Sequence, residues 1–303
     1  MSEKIQIIEV GPRDGLQNEK KPIPLGMKYR FVENLLGAGI DNIEVSSFVR
    51  ADRIPQLSDA AELFQMIYNN KLAGNFSALI PNVKGLNRAI ECRANRFAVF
   101  TASSETFNKK NINSTIEESL HLIGEVLAEA KKTSTSVRGY VSTAFGCPYE
   151  GKTKGNEDKV IEICEKLFDW GVDEISIGDT IGVGNPNQVK SLIKRLEKKW
   201  DLSRFAMHFH DTYSRALGNV MTSIEYGIRK FDSSAGGLGG CPYAHGATGN
   251  LATEDLVHLL HDLGFETGVD LYKLKNSSSE IFEFLGKTSS SKVHHAIGDS
   301  CGK

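Results

Sequence analysis

Two histidines one residue apart, His208 and His210 in "MHFHDT", are the pair in this chain best suited to chemistry. Side chains two apart on a strand share a face, so both imidazoles are able to ligate one ion. A second signal is "VGPRDGLQNE", where Arg13 and Asp14 stand side by side just after the apolar run "IQIIEV" gives out. Asp14 offers a carboxylate to the same ion, and Asn250 an amide oxygen. Such a donor set favours a six-coordinate divalent cation, Mg2+ or Mn2+, over a thiolate-bound zinc. Its open positions would let a substrate chelate through hydroxyl and carbonyl oxygens, with the metal as Lewis acid.

A third signal is the glycine-rich stretch "SAGGLGGCPYAHGATGNLATED", which carries Cys241 ahead of Pro242. It has neither the GK[ST] ending of a phosphate loop nor the spacing of a dinucleotide fingerprint. Repeated glycines suit a lid that closes over a substrate, bringing a thiol able to donate or accept a proton.

These residues need a scaffold that gathers strand ends. Eight β-rich runs alternate with amphipathic segments: "IQIIEV", "NIEVSSFV", "NFSALIP", "RFAVFTA", "SVRGYVSTAF", "EISIGDT", "FAMHFHD" and "KFDSSAGG". Helical patterns such as "TIEESLHLIGEVLAEAKK" and "DKVIEICEKLFDW" lie between them, and glycines at 37, 171 and 227 read as helix ends. The pattern implies a (β/α)8 TIM barrel over residues 1–265, with a C-terminal extension over 266–303 that forms one or two helices and then a polar end. In such a barrel the site lies at the carboxyl ends of the strands. Polar residues recur there: Arg13 and Asp14, then Glu44 with Ser46 and Ser47, Thr101 and Ser103, Ser142 and Thr143, Asp179, and the two histidines. At the lip, strand alternation gives way to a loop, so Arg13 and Asp14 both turn toward one cavity. Phe209, between the histidines, should face the barrel wall.

Charged residues are 24% of the chain and the formal net charge is -2, without the basic excess that nucleic-acid binding needs. No stretch approaches the ~20 apolar residues of a membrane span, and "MSEKIQIIEV" lacks an apolar leader-like core. The expectation is a cytoplasmic protein with a small-molecule partner, no nucleic acid and no membrane. Five cysteines without a CxxC pair argue against a disulfide framework or a structural zinc.

Taken together, "GPRDGLQNE", "IEVSSFV", "GDTIGVG", "HFHDTY" and "GGLGGCPYAHGATGNLATED" closely resemble the 3-hydroxy-3-methylglutaryl-coenzyme A (HMG-CoA) lyase family over nearly the full length. The resemblance implies cleavage of an acyl-CoA into acetyl-CoA and acetoacetate, as in leucine breakdown and ketone-body formation. It implies that Asp14, His208, His210 and Asn250 hold the cation, and that Arg13 polarises the thioester carbonyl and stabilises its enolate. Cys241 would handle the proton of the nascent acetyl group. Glu44 and Asp179 would support the site, Glu44 by pairing with Arg13 and Asp179 by orienting a histidine. Asp14 or His208 is the base. Gln17 and Asn111 are expected on the substrate, whereas Lys110 and Lys287 read as solvated surface. Family analogy suggests a homodimer, and Cys301 near the end raises a redox-linked disulfide between subunits. Two other readings are a condensing synthase of the same larger group and a noncatalytic acyl-CoA binder. A short tail in place of a regulatory domain weighs against the first, and the intact reactive set against the second.

Overall fold

The computed structural model describes residues 3–133, 135–152, 155–240 and 249–298. Eight parallel strands close into a barrel in sequence order. They are β1 (Gln6–Glu9), β2 (Asn42–Ser47), β3 (Asn75–Leu79), β4 (Arg96–Ala102), β5 (Ser136–Ser142), β6 (Glu174–Asp179), β7 (Phe205–Phe209) and β8 (Lys230–Ser233). Ring closure is made by β1 against β8, with Gln6 opposite Lys230 and Glu9 opposite Ser233. Each strand therefore lies within one of the eight runs anticipated from sequence.

Helices α1 (Leu25–Gly37), α2 (Ala60–Asn69) and α3 (Val83–Glu91) follow the first three strands. A pair, α4 (Glu105–Ile112) and α5 (Ile116–Ala130), follows β4; then come α6 (Asn156–Asp169), α7 (Pro186–Leu196), α8 (Ala216–Glu225) and α9 (Thr253–Asp262). Local chemistry sets their ends. Thr115 and Glu118 form a reciprocal capping box on α5, and Asn185 caps α7 ahead of Pro186. Gly171 and Gly227 close α6 and α8 with φ of 96° each, as their positions suggested. Gly37, by contrast, is still helical, and the left-handed residue is Gly39, where an added Cβ would come within 2.2 Å of the Gly268 carbonyl oxygen.

Two interiors result. The aliphatic core fills the ring between strands and helices, with Ile43, Val45, Leu63, Val99, Ile177, Leu192, Val220 and Leu256 all essentially inaccessible. Truncating any such leucine to alanine would cost about 2–5 kcal/mol. The barrel lumen is instead largely polar: a small apolar cluster of Leu79, Ala98 and Tyr140 lies with Glu44, Arg138, Ser176, His208 and Asp232. This departs from the branched aliphatic layers that usually fill such a lumen. Charge inside the barrel is what couples the fold to the site.

Beyond α9 the chain adds three short helices rather than one or two: α10 (Leu271–Ser277), α11 (Ser279–Leu285) and α12 (Lys292–Ala296). The segment divides because Asp270 and Ser291 each cap a new helix start, and Gly286 ends α11 in the left-handed region. The tail returns to the barrel top, where Ser289 Oγ and the Ser290 amide donate to the Gly236 carbonyl at 2.9 and 3.0 Å.

Candidate active site and metal centre

The site begins where β1 stops. Instead of an open loop, residues Gly11–Gly15 make a single π-helical turn, with the amides of Arg13, Asp14 and Gly15 all directed at the Val10 carbonyl. Consecutive side chains on such a turn are no longer on opposite faces, so Arg13 and Asp14 share the mouth. Gly11 and Gly15 leave the room: a Cβ on Gly11 would lie 2.6 Å from Glu9 Oε1, and one on Gly15 2.9 Å from Leu238 Cβ.

Arg13 is 6% exposed and forms ion pairs with Asp14, Nη1 to Oδ1 at 2.5 Å, and, through Nε, with Glu44. Glu44 in turn accepts from the Tyr140 hydroxyl at 2.9 Å, and the Arg13 guanidinium sits 5.6 Å from that ring's centre. Burial opposes Arg13's charge, but Glu44 and Asp14 overcome it and hold the guanidinium charged at every accessible pH. Gln17 donates to Asp14 Oδ1 at 3.1 Å and so braces the carboxylate.

Asp14, His208 and His210 bring one ligand atom each to within 4.8 Å of one another. Asn250 completes the group. An isolated bridge pairs it with His210, and its amide nitrogen donates to Asp14 Oδ2 at 2.8 Å. Among the described residues its Oδ1 is buried without a hydrogen-bond partner, as is His210 Nδ1. Unpaired buried acceptors are costly unless something fills them. These two, beside a carboxylate and a second imidazole, fit a divalent cation. Burial raises the proton affinity of Asp14, but Arg13, both imidazoles and the Asn250 amide outweigh it and bring the carboxyl down to about 2. Burial and the neighbouring His208 lower His210 to about 4, which leaves its imidazole neutral and able to ligate.

The remaining anticipated residues divide. Phe209 is buried in the wall, 6.3 Å ring to ring from Phe145. Asp179 clamps its own loop, accepting from the amides of Val183 at 3.0 Å and Gly184 at 2.9 Å; burial raises it to about 6 despite those bonds. The carboxylate against His208 is Asp232, whose Oδ2 lies 3.2 Å from Nδ1. Thr101 faces away from the mouth, 2.7 Å from Ser119 Oγ on α5, because the lumen-facing parity of β4 belongs to Ala98 and Phe100. Thr143 directly follows β5 at φ 60°, an uncommon conformation for a β-branched residue, with its amide on Thr180 Oγ1 at 2.8 Å. Asn111 lies exposed on α4, Lys110 covers the Tyr149 ring at 3.8 Å, and Lys287 pairs with Glu19 at 2.6 Å.

Cys241 and Cys301 lie outside the described residues. The flanks of the glycine-rich segment are described, and they converge: a Cβ on Gly249 would meet the Gly239 carbonyl oxygen at 2.5 Å, and one on Gly239 would meet Asn250 Nδ2 at 2.8 Å. The segment's base therefore rests on the Asn250 amide.

Sequence reading missed Asp232, Ser176, Arg138 and Tyr140. Asp232 accepts from Ser176 Oγ at 2.7 Å and Arg138 Nη2 at 2.5 Å; Arg138 Nη1 also donates to the Tyr140 hydroxyl at 3.0 Å. Burial favours protonating Asp232, but Arg138 and His208 reverse this and lower its pKa. The available signal was charge at alternate positions of apolar strands, "VRGY" and "KFDS", where a barrel should be aliphatic.

Comparison with known proteins agrees with this geometry. Residues 4–281 match the HMGL-like family model. A rat protein named 3-hydroxy-3-methylglutaryl-CoA lyase, cytoplasmic, is 45% identical over 98% of this chain and 85% of its own length. A Bacillus subtilis HMG-CoA lyase superposes with a TM-score of 0.93 at 43% identity, covering 97% of this chain and 98% of that one. An Acinetobacter baumannii HMG-CoA lyase, solved with coenzyme A and 3-methylmalate, superposes with a TM-score of 0.91 at 36% identity over 99% of this chain and 97% of that one. With the barrel, the candidate metal cluster and these matches in agreement, the chain belongs to the HMG-CoA lyase family of carbon–carbon lyases.

Proposed function

We propose that this chain splits 3-hydroxy-3-methylglutaryl-CoA into acetoacetate and acetyl-CoA, using a divalent cation, Mg2+ or Mn2+, held by Asp14, His208, His210 and Asn250. The observation that carries it is the cluster of Asp14 and two imidazoles with Arg13 alongside, to which Asn250 is tied through its amide nitrogen while its Oδ1 has no partner among the described residues. A bound cation supplies Lewis acidity toward the substrate's hydroxyl and carbonyl oxygens, making the tertiary alcohol easier to deprotonate.

Asp14, ionised and anchored by Arg13, Gln17 and Asn250, accepts the hydroxyl proton on a carboxylate oxygen. As C3 becomes the ketone of acetoacetate, the electrons of the C2–C3 bond pass into the thioester enolate. Arg13, locked by Glu44, is the fixed positive charge for that enolate oxygen, a preorganised role typically worth about 10²–10³ in rate. Cys241 then protonates the enolate carbon to give acetyl-CoA. Glu44 and Asp179 act through others, the first by aiming Arg13 and the second by shaping the loop after β6. The CoA portion is assigned to the mouth near Asn111.

Residues 1–265 are taken as the catalytic barrel and 266–303 as its extension, in a homodimer. We place it in the cytoplasm, although relatives of similar identity carry both cytoplasmic and mitochondrial names. No helix among the described residues is long and apolar enough to cross a membrane.

An acetoacetate assay with Mg2+ or Mn2+, repeated after chelation, tests the reading. Release that stops with chelator and returns with metal is expected. Turnover untouched by chelation, or thiol release dependent on a 2-oxo acid, would overturn it. Cys241→Ala should keep metal binding but lose most turnover, whereas His208→Ala should lose both; full activity in Cys241→Ala removes the thiol from the scheme.

A further inference from the structure

Asp232 lies in β8 and His208 in β7, and the register of that strand pair sets the two residues directly opposite each other. Both side chains enter the lumen, where Asp232 Oδ2 lies 3.2 Å from His208 Nδ1. The carboxylate is held from two further directions: Ser176 Oγ donates to Oδ2 at 2.7 Å, and Arg138 Nη2 donates to Oδ1 at 2.5 Å. The same guanidinium reaches the Tyr140 hydroxyl at 3.0 Å. The Tyr140 ring in turn stands edge-on to the imidazole, at 86° and 6.3 Å between centres. One arginine thus braces the histidine's hydrogen-bond partner and its aromatic neighbour.

A carboxylate is an acceptor only, so the ring nitrogen facing it must carry the hydrogen. We propose that Asp232 is a positioning residue that fixes His208 as its Nδ1–H tautomer, so that Nε2 is left bare for the cation. The inference rests on the metal reading above, and gives a specific task to a carboxylate that the lyase scheme does not otherwise use. Arg138 and Ser176 fix the carboxylate, and Tyr140 the plane of the ring. Asn at this position would reverse the arrangement. Its amide can present an N–H to Nδ1, which favours the Nε2–H tautomer and blocks ligation, the same logic by which a buried triad aspartate selects a histidine tautomer.

The test uses full-length protein labelled with 15N in its eight histidines. Long-range 15N–1H correlations are recorded on metal-free enzyme at about pH 8, where exposed imidazoles are neutral, with His208 assigned by its loss in His208→Gln. The expected spectrum has His208 protonated at Nδ1. Asp232→Asn should switch the signal to Nε2–H and weaken Mn2+ binding, measured calorimetrically, by about 10–100-fold. A purely structural role would move the unfolding midpoint but not the tautomer. If Asp232→Asn does not fold, the native spectrum alone decides, because an Nε2–H tautomer there overturns the proposal. Native affinity for Mn2+ in Asp232→Asn also overturns it. A native enzyme that binds no Mn2+ defeats the proposed function instead, so the two failures are distinguishable.

Discussion

Asp179 on β6 and Asp232 on β8 border the histidine strand from either side, and both are almost wholly inaccessible to solvent. Their partners differ. Asp179 has two backbone amides from its own loop, which leave burial dominant and its pKa raised to about 6. Asp232 has a guanidinium, a hydroxyl and an imidazole, and although burial opposes it, Arg138 draws its pKa below the usual aspartate range. Backbone dipoles suffice to shape a loop. Orienting the His208 ring takes a charge that remains ionised, which inside a barrel requires a second full charge beside it.

The largest way to break this contrast is truncation. Asp232→Ala leaves the buried Arg138 charge with Glu174, 2.9 Å away, as its one carboxylate partner among the described residues, and Glu174 itself also pairs with Lys230. It should cost about 3–5 kcal/mol in urea unfolding at neutral pH. Asp179→Ala leaves unpaired amides and no stranded charge, and should cost about 1–3 kcal/mol. Equal losses would mean that the two carboxylates do the same work.

pH sharpens the comparison, because the two shifts have opposite sign. Asp179 binds its proton more tightly folded, at about 6, than at the ordinary value of 3.8. Between these values the native state retains a proton that the unfolded chain has released, so its contribution falls as pH rises through that window, by roughly 3 kcal/mol in all. Asp232 binds its proton more weakly folded, so its contribution is present above the ordinary aspartate range and is lost as pH falls through it. Unfolding titrations should show Asp179→Asn flattening the decline between about pH 4 and 6, and Asp232→Asn removing part of the loss at lower pH. A slope between pH 4 and 6 that survives Asp179→Asn would refute the assignment.

The smallest effect is expected of Ser176→Ala, which removes one of three donors to Asp232 and should cost about 1 kcal/mol. Its effect on Mn2+ affinity should be smaller than that of Asp232→Asn. A larger one would shift the orienting role from Asp232 to the hydroxyl.

Much of this was legible before any coordinates. Short β-branched runs bounded by turn residues located all eight strands, and alternation put His208 and His210 on one face because a strand's period is local. The junction of "IQIIEV" with "GPRDG" marked the lip. Other features were not legible, for physical reasons. Whether Thr101 faces lumen or helix depends on the parity of β4, and one residue of parity moves every side chain to the other side. That Asp232, rather than Asp179, meets His208 depends on the register of β7 against β8. No property of "KFDS" alone encodes a partner 24 residues away.

Sequence by itself therefore determined the repeat, the closed ring it implies, and the residue types available at its mouth, since each follows from periodicity and side-chain chemistry within a few residues. Tertiary structure alone decided that Arg138 meets Asp232 and that Asp232 meets His208, whereas the Arg13–Glu44 pair was already expected from the sequence. The first two pairings join residues 94 and 24 positions apart, and they exist only once the register of a closed barrel has set their distances.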